Sequence, residues 1–262
     1  MLGPATFLID RVAEDMAERL AAVLRTFDRA ADLGTPTDAV RRALAGKVGA
    51  IAGVVADEEA LPFRDGSLDL VVSALALQFV NDLPGTLIQI RRALKPDGLL
   101  LAAMIGGDTL TELRQAFAAA EAEIEGGVSP RVAPFADLRE LGALLQRAGF
   151  ALPVADVDRL VARYDTPLGL MHDLRRMGAA NALTERRRMP LRRATLKRMM
   201  EIYAERFAGA DGRVPATFEI VWLSGWAPHD SQQPPLAPGS AKTRLADALR
   251  TQEIPAGEKA GG

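Results

Sequence analysis

Three short apolar runs constrain this chain more than any other feature. Ala50–Ala56 ends at Asp57, Leu68–Ser73 ends on a small residue, and Leu99–Ile105 ends at Gly106-Gly107. Each is too short for a stable helix and too continuously apolar for a strand with one wet face, so each reads as a buried strand. A helical pattern over Leu83–Leu94 separates the second run from the third. It stops at Lys95-Pro96-Asp97-Gly98, where proline and glycine end a helix. Strands buried on both faces and alternating with helices specify an α/β chain with a doubly wound, mostly parallel sheet.

The spacing ahead of these runs narrows the topology. Arg29–Leu33 reads as the first strand and meets a turn at Gly34-Thr35-Pro36. Thr35–Gly49 alone separates it from Ala50, with Asp38–Leu44 as a short helix and Thr37 as its N-cap. A parallel crossover takes about a dozen residues or more, so one fits and two do not. Ala50–Ala56 should therefore lie directly beside the first strand. Upstream, Phe7, Leu8, Val12, Met16, Leu20, Val23, Leu24 and Phe27 recur at helical spacing among charged residues, predicting an amphipathic N-terminal helix within 1–28. Downstream, helices are expected over Thr109–Glu125, Pro134–Arg147, Pro167–Gly178 and Thr195–Phe207. Alternating strands are expected over Val154–Tyr164 and Ala216–Trp226. The helical insertions, about 109–147 and 167–208, should form a lid over the carboxyl edge of a domain spanning 29–227. Residues 228–262 read as a proline-rich tail with a short helical patch at Ala241–Arg250.

Composition removes whole classes of chemistry. The absence of cysteine excludes a disulfide scaffold, a thiolate zinc site and a cysteine nucleophile. His172 and His229 are too far apart in sequence for a paired-histidine metal motif, and no metal is expected. A net charge of −2 gives no bulk attraction to nucleic acid or anionic membrane. With no signal-peptide pattern and no run near the ~18 apolar residues of a spanning helix, a cytoplasmic protein without membrane insertion is expected. Charge is nevertheless uneven. Arg175, Arg176, Arg186, Arg187, Arg188, Arg192, Arg193, Lys197 and Arg198 stand against Glu185 alone. They are either solvated helix faces or a docking surface for an acidic protein partner. Nucleic acid ranks last, because no aromatics are interleaved for base stacking.

Three segments carry a family resemblance. Asp57-Glu-Glu-Ala-Leu-Pro-Phe-Arg-Asp-Gly-Ser-Leu-Asp-Leu-Val-Val-Ser73 and Arg91-Arg-Ala-Leu-Lys-Pro-Asp-Gly98 resemble motifs of class I S-adenosylmethionine-dependent methyltransferases. Asp32-Leu-Gly34 resembles the start of that family's glycine-rich first motif. Gly106-Gly-Asp-Thr-Leu110, Tyr164-Asp-Thr-Pro-Leu168, Asp173-Leu-Arg-Arg-Met-Gly178 and Phe218-Glu-Ile-Val-Trp222 resemble one subgroup. It holds the mitochondrial complex I assembly factor 5 proteins, their bacterial relatives and the biotin-pathway carboxyl methyltransferases.

The resemblance implies a Rossmann-like fold, S-adenosylmethionine as cofactor, and binding residues Asp32, Gly34, Thr35, Asp57, Glu58, Ser73 and Leu75. It implies no particular catalytic residue. Asp57 or Glu58 would take the ribose hydroxyls. The acceptor would be a small carboxylate or a protein side chain. The chain departs from the family in two ways. Pro36 and Asp38 replace the second and third glycines of the first motif, and one βα unit is missing after the first strand. These departures favour an alternative: a protein-binding assembly or arginine-modification factor for respiratory complex I that transfers no methyl group.

Overall fold

The structure, a computed structural model, describes residues 5–54, 60–132, 138–179, 181, 183–184, 186–232, 247 and 251. In chain order the elements are α1 (Phe7–Ala21), β1 (Arg29–Leu33), α2 (Ala39–Ala43), β2 (Ala50–Val54) and β3 (Leu68–Ala74). After a 3-10 turn at Leu77–Phe79 come α3 (Leu83–Ala93), β4 (Leu94–Ile105), α4 (Thr111–Glu125) and α5 (Leu138–Arg147). The chain continues through β5 (Ala151–Tyr164), α6 (Pro167–Arg176), α7 (Arg193–Phe207) and β6 (Val214–Trp226). The sheet order is β2-β1-β3-β4-β6-β5. The first four strands are mutually parallel, and β6 runs antiparallel to both β4 and β5.

Alternation along β4 explains why this strand reads as continuously apolar. Leu99, Leu101 and Ala103 face a core shared with α1, α2, α4, α6 and α7. Leu100, Ala102 and Met104 face a second core shared with α3 and α5. Asp69 breaks the run in β3 for a structural reason. It accepts a hydrogen bond from the Arg29 N–H at 2.9 Å and pairs with Lys95 at 2.7 Å, fixing the starts of three strands.

The single-crossover arithmetic holds: β2 lies beside β1, with Arg29 opposite Ala50 and Leu33 opposite Val54. Its burial does not match expectation. Ala50, Ala52 and Gly53 are exposed, because β2 pairs only with β1 and forms the sheet's outer edge. An apolar run can build an edge as well as a centre, and the absent βα unit leaves this one uncovered.

Three further expectations need correction. The N-terminal helix ends at Ala21, leaving Leu24 exposed, while Phe27 is buried from the segment entering β1. The turn expected at Lys95–Gly98 is taken into an irregular start of β4, with Asp97 at φ 65°. Of the expected lid, α5 packs instead on the sheet face with α3, burying Leu141 and Leu145 against Leu87 and Ile90. Residues 134–137 and most of the tail lie outside the described residues.

The antiparallel pair of β5 and β6 runs past the carboxyl end of β4, since Ile105 pairs with Ile220 and β6 begins at Val214. On that extension α4, α6 and α7 pack together against Val214, Ala216 and Phe218. Glu112 fastens α4 to β6 by accepting the Thr217 N–H at 3.1 Å and the Thr217 hydroxyl at 2.5 Å. No helix among the described residues is long and apolar enough to cross a membrane.

Candidate functional site at the switch point

The chain leaves β1 toward β2 on one side and returns to β3 on the other. In doubly wound sheets, the carboxyl ends of strands at such a reversal form the natural ligand crevice. Side chains and backbone lace this edge together. The Ser73 hydroxyl donates to the Leu33 carbonyl at 2.8 Å. The Thr35 hydroxyl oxygen accepts the Ala74 N–H at 3.1 Å. Gly34 N–H donates to Val54 O at 3.0 Å, and Leu75 N–H donates to Ala103 O at 2.9 Å. Gly34 stands at φ 70° and Leu75 at φ 55°, the left-handed region that disfavours a side chain. A leucine held there at a ligand crevice is local strain in the place where functional strain collects.

Thr35 is therefore more than a loop residue. Thr35→Val keeps its shape but leaves the buried Ala74 N–H without a partner, which costs about 1–3 kcal/mol. In a urea titration the midpoint should fall with no change in slope. An unchanged midpoint would show that the hydroxyl does not hold this edge.

Asp32 is 1% exposed. Its Oδ2 pairs with Arg41 Nη1 at 3.0 Å, while its Oδ1 is buried without a hydrogen-bond partner. Burial pushes the carboxyl above its ordinary range, against the opposing pull of the Thr35 hydroxyl and the Arg41 guanidinium. Arg41 comes from α2 and lies across Gly53, where an added Cβ would sit 2.3 Å from Nη1. Sequence reasoning missed Arg41. The available sign was Gly53, since glycine inside a strand often marks a close approach.

Gln78 was also missed. Its amide donates to the Leu75 carbonyl at 2.7 Å, and its Oε1 is buried without a partner. The crevice thus holds two orphaned acceptors, Asp32 Oδ1 and Gln78 Oε1. S-adenosylmethionine offers donors to match: an ammonium, two ribose hydroxyls and an adenine amine. The residues present fit that group. Asp57 and Glu58 follow Val54 closely in sequence and lie outside the described residues. The expected cap shifts by one residue: Asp38, not Thr37, is the N-cap of α2, and Thr37 accepts the Ala39 N–H at 3.2 Å from the position before it.

A cleft of about 620 Å³ opens beyond the end of β4, lined by Gly107, Asp108 and Leu138 with Val157, Asp158, Arg159 and Glu219. Its charges are matched internally. Arg159 pairs with Asp108 and stands 3.5 Å from Glu219, and Asp158 pairs with Arg19 at 2.8 Å.

The sequence and the fold both have counterparts among known proteins. A family model described as a methyltransferase domain matches residues 13–102. The zebrafish (Danio rerio) mitochondrial arginine-hydroxylase NDUFAF5 is 38% identical over 269 residues, covering 95% of this chain and 84% of that protein. A malonyl-[acyl-carrier protein] O-methyltransferase of Laribacter hongkongensis is 45% identical over 175 residues, and the chain spans 56% of its length. Among solved structures, a Bacillus halodurans protein assigned as a methyltransferase superposes with a TM-score of 0.53 at 17% identity, covering 82% of this chain and 99% of that one. The zebrafish alignment is longer than this 262-residue chain, so the relative carries residues that this chain lacks. By sequence and by fold, the chain belongs to the class I methyltransferase superfamily, in the family of the NDUFAF5 arginine-hydroxylases.

Proposed function

We propose that the chain binds S-adenosylmethionine at the switch point between β1 and β3 and directs its methyl group to a small carboxylate or a protein side chain. The observation that carries this reading is the pair of orphaned acceptors beside positive-φ backbone, Asp32 Oδ1 near Gly34 and Gln78 Oε1 near Leu75. When bound, the cofactor supplies an electrophilic methyl group on a sulfonium. Gly34 lets backbone approach the ligand without a Cβ in the way. Asp32 and Gln78 accept hydrogen bonds from ligand N–H or O–H groups. Asp57, with Glu58 beside it, is the acid assigned to the ribose hydroxyls. Helices α4, α6 and α7 keep water from the reacting atoms. In-line displacement depends chiefly on orientation. A carboxylate acceptor is already an anion and needs no base. The reading keeps the protein in the cytoplasm.

The identity to NDUFAF5 over most of that protein favours a second reading. In it the same scaffold serves as a protein-binding assembly or arginine-modifying factor for respiratory complex I, without methyl transfer. Pro36 and Asp38 in the first loop fit that reading. Mass spectrometry of acceptors separates the two. The protein is incubated with S-adenosylmethionine and either a malonyl-loaded acyl carrier protein or an arginine-containing peptide. Methyl transfer predicts an acceptor heavier by one methylene. Arginine heavier by one oxygen in a parallel incubation supplied with dioxygen and a two-electron reductant, or bound cofactor with no transfer at all, would support the second reading instead.

A further inference from the structure

The basic stretch from Arg175 to Arg198 carries a net charge of +8 in a chain of net −2. Seven of its nine cations fall into two groups. Arg187 pairs with Glu125 of α4, which also accepts the Thr195 hydroxyl at 2.6 Å. Arg198 reaches Glu123 at 2.6 Å and Glu205 at 3.2 Å. Lys197 lies 3.7 Å from Glu201. Arg187 ties the segment before α7 to α4, and Arg198 and Lys197 tie α7 to α4 or to itself, so these three cations are internal structure.

The second group has no such use. Arg175, Arg176, Arg188 and Arg193 are exposed, and none has an acidic partner among the described residues. Arg193 opens α7 with Arg192 as the capping residue, and the first turn holds no acid. The positive end of a helix dipole ordinarily attracts acids, so cations placed there leave an unanswered positive field. Between the arginines, Met189 is 61% exposed and stands next to exposed Pro190. Arg175 and Arg176 end α6, Arg188 and Met189 lie shortly before α7, Arg193 opens α7, and α6 packs against α7.

We propose that this surface docks an acidic segment of a partner protein. The free arginines supply complementary charge, which sets orientation and association rate. Met189 supplies an apolar contact that a protein segment can cover and a bare polyanion cannot. The rest of the molecule is net acidic, so a negatively charged partner is repelled elsewhere and directed here. Nucleic acid is disfavoured because the stretch contains no Phe, Tyr or Trp on which a base could stack. The proposal stands apart from cofactor binding and does not depend on it.

The test uses the full chain and a fluorescently labelled polyglutamate peptide, read by anisotropy. The variant reverses four charges, Arg175→Glu, Arg176→Glu, Arg188→Glu and Arg193→Glu. A second version with glutamine at the same positions guards against misfolding. A control reverses the exposed Arg64 and Arg147. Salt-sensitive peptide binding is expected that weakens by about tenfold or more in the glutamate variant, falls less in the glutamine variant and is unchanged in the control. Equal peptide affinity in wild type and both four-site variants would overturn it. So would tighter binding of a single-stranded oligonucleotide or of phosphatidylserine vesicles through the same four arginines.

Discussion

Replacing Arg131 with alanine is expected to lower the unfolding free energy by about 3 kcal/mol, the low end of the range for breaking a buried ion pair. The Glu121 side chain is wholly buried, and that of Arg131 is 17% exposed. Arg131 Nε donates to Glu121 Oε1 at 2.7 Å, and its guanidinium lies over the Phe117 ring. Ser129 donates its backbone N–H and its hydroxyl to the same carboxylate, each at 2.7 Å. Those two bonds survive in the variant, which is why the low end applies. For a domain of this size the melting temperature should drop by roughly 6–12 °C.

The pH dependence has a definite sign. Burial alone would raise the Glu121 carboxyl, but Ser129 and Arg131 pull it below its ordinary 4.5. A depressed carboxylate contributes stability that is present above the unfolded value and lost as pH falls through the folded one. The gap between wild type and Arg131→Ala should therefore narrow on acidification. Thermal melts from neutral pH to below 4.5 check this. Equal melting temperatures, or a gap that ignores pH, would mean that the pair does not hold the loop against α4.

The parts legible in sequence were those whose signal is local. Leu68–Ser73 and Leu99–Ile105 announce central strands because both faces are buried and both are written in apolar residues. The length of Thr35–Gly49 limits the chain to one crossover, and that alone seats β2 beside β1. What remained hidden depends on distant elements. Ala50–Val54 looks the same as a centre or as an edge, and only the missing neighbour decides. The apolar stripe of Leu141 and Leu145 says that one face of α5 is buried, not which side of the sheet buries it. In the site, Asp32, Gly34 and Thr35 stand out through their motif. Arg41 and Gln78 belong to no motif and reach the crevice only through folding. Glu121 lies in an alanine-rich helix, and its partners Ser129 and Arg131 come from beyond the end of that helix.

The second large effect concerns the acid that follows β2. Val54, the last residue of that strand, accepts the Gly34 N–H at 3.0 Å, so the chain leaves β2 beside the first loop. Asp57 comes three residues later and is the acid that should matter most for the cofactor. A carboxylate holding ribose hydroxyls makes charge-assisted bonds, and losing such a bond costs roughly 1.5–3 kcal/mol. That corresponds to an affinity loss of about ten- to a hundred-fold.

Calorimetric titration of S-adenosylmethionine into wild type and Asp57→Ala, at equal folded fraction, tests this together with the central claim. Saturable binding is expected for the wild type, and binding weaker by that factor for the variant. Wild-type binding that is unchanged in the variant would remove Asp57 from the site. No binding to the wild type at saturating cofactor would contradict the account itself and leave the non-methylating reading standing.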